Sequence, residues 1–209
     1  MLSMRSTADV NDCPSPLPVF PLPLFVLPGG VQRLRVFEPK YLSMVASAVN
    51  GDGFVIASSH STQRSGLPDW GTRVQIIDFN QGVDNILTVD VIGEHLVSLS
   101  IRDTPLAKSS ASTNTLLLAD THPIAHWSMI EGTSESIENK FAPLLRKIFK
   151  QHSALRALYK QTHFGEAAWV GARLLEIVPL SFEEKENFIH LLGLPELNRL
   201  LDTLFLKLK

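Results

Sequence analysis

The chain has 209 residues, 44% of them hydrophobic, and a formal net charge of -2. A balance so close to neutral gives no electrostatic case for nucleic acid or an anionic membrane surface. The length allows one large domain or two small ones, with enough buried core to need no staple. The single cysteine, Cys13, excludes an internal disulfide and a cysteine-based zinc site, and fits a reducing, cytoplasmic setting.

Residues 1–16 lack the apolar stretch of a signal peptide and read as a flexible tail. No run approaches the roughly 18 apolar residues of a membrane span. Residues 17–36 follow as apolar, proline-rich strands; prolines suit an edge strand and strand ends, where no ladder N–H is needed. Pro39 then fits the first position of a helix. Leu42, Val45, Ala46 and Val49 recur at helical spacing as its expected buried face, and Asn50-Gly51 stops it. Residues 54–58 read as a buried strand. Residues 60–71 form a long polar loop that places Leu67, Pro68 and Trp70 at its end. These three are the candidate peptide-binding residues, with a barrel-capping role for Trp70 as the structural alternative.

The next strand, residues 72–79, contains the doublet Ile76-Ile77, which breaks the alternation and marks a bulge. Residues 86–103 read as a hairpin turning at Gly93-Glu94-His95. The apolar match then sets Val91 opposite Val97 and Val89 opposite Leu99. Residues 114–125 supply one more strand. Near Trp127 the apolar period changes from 2 to 3.6, dividing a β-rich part, 17–127, from a helical part, 128–209. Ile137, Phe141, Leu144, Leu145 and Ile148 mark a helix with Pro143 in its first turn or at a kink. Ser153 is placed to cap the next, and Val170, Leu174 and Ile177 mark a third, stopped by Pro179. Residues 181–184, Ser-Phe-Glu-Glu, spell a capping box for a helix that Gly193 ends. Pro195 opens the last helix, with Leu197, Leu200, Leu201, Leu204 and Leu208 on its buried face.

Catalytic motifs are missing. His122 and His126 have i, i+4 spacing, but Pro123 between them breaks a helix and no HExxH pattern is present, so no metal site is expected. The sequence has no GxSxG elbow, no SxxK pair and no GxxxxGK[ST] phosphate loop. Gly51-Asp52-Gly53 lacks the rest of a dinucleotide fingerprint and reads as a turn, so no cofactor is expected. Glu183 and Glu184 complement a helix dipole. Arg146, Lys147 and Lys150 read as a solvated helix face.

Residues 17–45, with Phe37-Glu38-Pro39-Lys40-Tyr41 at the helix start, resemble the beginning of the Lon protease N-terminal domain, and look closest to its free-standing bacterial members. Fainter similarity continues through residues 65–72, Gly93 and residues 172–204, nearly the whole chain. The resemblance implies an α+β fold: a PUA-like twisted β pseudo-barrel with one early helix, then a C-terminal helical bundle. It implies a non-catalytic module that binds unfolded polypeptide or a protein partner. The ATPase and peptidase domains of the full protease would begin where this sequence ends, which accounts for the missing motifs. In residues 37–41, Pro39 sets φ, Glu38 caps free N–H groups, and Lys40 and Tyr41 anchor the helix. The competing functions are an RNA-binding protein on a PUA-like fold, which a clustered basic face would support, and an enzyme with an unrecognised site.

Overall fold

Residues 16–49, 51–60, 66–81, 86–102, 115–129, 137–191 and 193–207 are described by a computed structural model. The expected tail with Cys13, the helix stop at Asn50, the polar residues 61–65 and Leu208 lie outside them. The strands are β1 (Leu17–Leu22), β2 (Val31–Val36), β3 (Phe54–Ser58), β4 (Trp70–Gln81), β5 (Leu87–Ile101) and β6 (Leu117–Pro123), with helix α1 (Pro39–Ala48) between β2 and β3. After Pro123 come a 3-10 turn at Trp127–Met129, a π-helical turn at Ile137–Phe141, and helices α2 (Ala142–Gln151), α3 (Ser153–Leu158), α4 (Ala167–Ile177), α5 (Phe182–Glu186) and α6 (Leu194–Lys207). The change of apolar period therefore coincides with the change from strand to helix.

The strands run in the order β2-β5-β4-β3-β1-β6, and β6 also pairs with β5. Five strands thus close on themselves as a barrel, and β2 lies outside it against the first half of β5. Closure corrects the expected edge position of β1, which lies between β3 and β6. Its prolines are tolerated for a different reason. Pro18 lies where the register runs only to β6, and Pro21 where it runs only to β3. Each therefore has one flank without a ladder, where a missing N–H costs nothing. Only Val19 is registered with both neighbours.

The expected hairpin at Gly93 is replaced by one continuous strand of 15 residues. The first half of β5 pairs with β2 and the second with β6, while β4 follows it along its length. Val91 lies beside Ile76 and Gln32, and Val97 beside Gly71 and Pro123, so neither faces the other. The apolar matching failed because this strand is covered on both faces. Ile92 and Leu96 pack toward the helices, whereas Val89, Val91, Val97 and Leu99 belong to two other core clusters. Gly93 is required by close approach rather than by a turn. A Cβ there would stand 2.7 Å from the Leu27 carbonyl oxygen, and its backbone exchanges hydrogen bonds with Gly29 (2.8 Å) and Gly30 (2.9 Å). The register slips twice between β4 and β5, leaving Glu94 and Ile77 as the extra residues. The second slip is the bulge expected from the isoleucine doublet.

Helix α1 begins at Pro39 as expected, but its buried face is Met44, Val45 and Ala48, while Leu42, Ala46 and Val49 are exposed. The helix carries apolar residues on two neighbouring stripes, and Tyr41 decides between them by stacking on Phe20 with ring centroids 4.0 Å apart. Pro143 occupies the first turn of α2. Ser181 and Glu184 form the reciprocal capping box at α5. His152 rather than Ser153 is the N-cap of α3, and α5 ends at Glu186, well before Gly193. In α6, Leu197 and Leu201 are fully buried. The largest core cluster joins Leu27, Val31, Trp70 and Leu96 from the strands to Trp127, Leu145, Trp169, Leu174 and Leu197 from the helical region.

Candidate functional site

The turn after β1 is gripped by α4. Arg173 and Glu176, one helical turn apart and 1% and 6% exposed, form a bidentate pair with Nε–Oε2 2.7 Å and Nη2–Oε1 2.8 Å. Glu176 Oε1 also accepts the Leu27 N–H at 2.8 Å, and Arg173 Nη2 donates to the carbonyls of Leu27 and Pro28, both at 3.1 Å. Gly29 turns the chain at φ +77, and Gly30 passes so close that a Cβ would collide with Glu176 Oε1. Burial pushes the Glu176 carboxyl up; the Arg173 charge and the Leu27 N–H act against it. Arg173 Nη1 is buried with no hydrogen-bond partner among the described residues, and the guanidinium lies 5.7 Å from the Trp169 ring centre.

Beside this clamp a groove of about 610 Å³ runs between the bulged strands and the segment from α3 to α4. Val31, Ile77, Ile92, Leu158 and Trp169 line it with apolar surface; Glu94, Lys160, Gln161, His163 and Glu166 give it polar edges. The two bulges put Ile77 and Glu94 there. Ile77 is 38% exposed, which leaves its side chain available to a partner. Tyr159 is fixed in the wall because its hydroxyl accepts the Val31 N–H at 3.3 Å, and burial pushes the phenol up to about 12. His163 Nδ1 lies 2.8 Å from Glu166 Oε1, and Lys160 Nζ 3.9 Å from Asp78 Oδ2. The groove is thus charged with both signs along its edges.

The candidate peptide residues sit elsewhere. Leu67, Pro68 and Trp70 are buried, with Leu67 and Trp70 in different core clusters. Trp70 stacks on Phe182 at 6.0 Å, meets Phe25 edge-on at 5.9 Å, and donates its indole N–H to Glu186 Oε1 at 2.9 Å. It caps the barrel and ties it to α5. In the helix-start motif, Phe37 is 68% exposed, and the Lys40 ammonium lies 4.8 Å from the ring centre of Tyr41. Glu38 is the N-cap through its carbonyl, which accepts the N–H groups of Tyr41 and Leu42; its carboxylate makes no capping bond and lies 3.5 Å from Lys40 Nζ.

His122 is exposed and His126 buried, and no group of three or more metal-ligating side chains occurs among the described residues. His126 Nδ1 lies 2.6 Å from Ser128 Oγ, and burial lowers its pKa to about 4. Reading the sequence missed Arg173 and Glu176. Their signal was an i, i+3 pair of opposite charges inside an otherwise apolar helix, the pattern of an ion pair that reaches out of its own helix.

No helix among the described residues is long and apolar enough to cross a membrane. No curated protein sequence matches the chain. Among solved structures, a Lon N-terminal domain protein from Xanthomonas campestris is similar with a TM-score of 0.62 and 26% identity, covering 90% of this chain and 98% of that one. The N-terminal domain of the Mycobacterium avium complex Lon protease shares the fold, with a TM-score of 0.56, 16% identity, and coverage of 90% and 96%. A family model, the substrate-binding domain of ATP-dependent protease La (LON), matches residues 16–192. The chain belongs to the Lon substrate-binding domain family.

Proposed function

We propose that this protein is a non-catalytic module that binds unfolded polypeptide, and that the groove between the bulged strands and the α3–α4 segment receives it. The observation that carries this reading is the apolar floor made by exposed Ile77 and half-buried Ile92, rimmed by charges of both signs. A volume of about 610 Å³ falls within the range of roughly 300–1,000 Å³ typical of binding clefts. Apolar floor contacts are tolerant of sequence, and mixed edge charges select no single sign of partner. The same mixture disfavours a nucleic-acid ligand, whose phosphates call for a basic stripe. The family supports a substrate-binding role, and the setting expected for it is cytoplasmic.

Ile77→Ser should weaken binding of reduced, carboxymethylated α-lactalbumin about tenfold, the scale of losing one apolar anchor. Because Ile77 is a partly exposed bulge residue, the variant should melt within about 2 °C of the parent, as surface substitutions do. Unchanged affinity, measured by fluorescence anisotropy, would remove the groove from consideration. The purified chain should also release no phosphate from ATP and no peptides from casein. ATP-dependent casein degradation that a point mutation in this chain abolishes would refute the non-catalytic reading.

A further inference from the structure

A second cavity, of about 330 Å³, opens between the segment that follows β1 and the junction of α4 with α5. Its apolar wall includes Leu24, Phe25, Leu180 and Phe182, and Lys185 and Gln32 are among its polar groups. Lys185 is only 8% exposed. Its ammonium carries three protons. Among the described residues it has one hydrogen-bond acceptor, the Glu176 carbonyl at 3.1 Å, and it lies 5.5 Å from the Phe25 ring centre.

The neighbouring carboxylate is already engaged. Both Glu176 oxygens accept from Arg173, and Oε1 also accepts the Leu27 N–H. Arg173, Glu176 and Lys185 are therefore two cations against one carboxylate. Burial lowers the Lys185 pKa, which means the ammonium is held there at an electrostatic cost. An anion beside Nζ would offset that cost, and the aromatic wall would bury an apolar group attached to it.

We propose that this cavity binds a carboxylate carrying an apolar tail, with the carboxylate on Lys185 Nζ and the tail against Phe25 and Phe182. Gln32 is a further polar residue of the wall. Two sources share this chemistry: a small free apolar acid, and the C-terminus of a polypeptide that ends in an apolar residue. The site is separate from the groove and stands without it.

Calorimetry on the full chain with hydrocinnamate and hydrocinnamyl alcohol tests the charge requirement. The acid should bind at least about tenfold more tightly than the alcohol, the usual scale for a hydrogen bond to a charged group. Lys185→Met keeps the apolar stem and should lose the acid by a similar factor. If that variant does not fold, reductive methylation of the parent chain gives a second readout. Lys185 should then be methylated more slowly with hydrocinnamate present, as mapped by mass spectrometry. Short peptides ending in leucine, as free acid and as amide, separate the sources. Tighter binding of the peptide acid than of hydrocinnamate assigns a polypeptide C-terminus, and inert peptides beside a binding acid assign a small molecule. Equal affinity for acid and alcohol, an unaltered Lys185→Met, or no binding of any probe at about 10 mM, weaker than the roughly millimolar range, overturns the proposal.

Discussion

Arg173→Leu should be among the most damaging single substitutions, destabilising the protein by about 3–5 kcal/mol. The change leaves the Glu176 carboxylate buried without its bidentate partner, and breaking one partner of a buried pair is far more costly than the pair's net worth. With a slope of about 2 kcal/mol/M, the urea midpoint falls by about 2 M. Arg173→Leu/Glu176→Leu should recover part of the loss, because the paired charges leave together, while Lys185 and the Leu27 N–H lose the Glu176 carboxylate. The pH dependence has a definite sign. Burial already raises Glu176, and removing the guanidinium raises it further. A carboxyl with a raised folded-state pKa favours folding when protonated, and that advantage is lost as the pH climbs through the folded pKa. The deficit of Arg173→Leu should therefore be smaller at pH 5 than at pH 8. A deficit independent of pH would mean that Glu176 is not the group left stranded.

Trp70→Ala should cost about 3–5 kcal/mol, the scale of truncating a large buried aromatic. For a domain of this size that lowers the melting temperature by roughly 10 °C. The indole is 5% exposed, stacks on Phe182, meets Phe25, and bonds Glu186, so its removal opens the seam between barrel and α5. Trp70→Phe retains a stacking ring and loses the bond to Glu186, so it should fall between the parent and the alanine variant. Thermal melts followed by circular dichroism rank the three. If Trp70→Ala melted within 2 °C of the parent while losing affinity for unfolded polypeptide, the apolar platform would lie at Leu67, Pro68 and Trp70 instead of the groove.

Signals held within a few residues were legible in the sequence. Pro39 starts a helix by fixing φ, Ser181 and Glu184 bond each other's backbone, and the Ile76-Ile77 doublet needs only its own strand to show a bulge. Errors arose where one element carries two apolar faces. The apolar pattern of β5 looked like two strands because Leu96 serves one core and Val97 another. The stripe on α1 was misplaced because the choice between two apolar faces belongs to Phe20, some twenty residues earlier in the chain. The groove was half visible. Its bulge could be read, but its opposite wall comes from residues 158–169, which only the closed fold brings near. The charge pair Arg173–Glu176 could be read, but not what it grips, since Leu27 and Pro28 precede Arg173 by 146 and 145 residues.

That separation also sets a schedule for a chain made from its N-terminus. The turn at residues 27–30 leaves the ribosome long before α4, and its amide and carbonyls wait for Glu176 and Arg173 across 149 and 146 residues. At synthesis rates of roughly 5–20 residues per second, the interval is about 7 to 30 s. During it, the faces of Leu27, Val31 and Leu96 that later meet the helices have nothing to cover them. Until α4 is made, that uncovered apolar surface is what would make a partly synthesised chain of this design prone to aggregate.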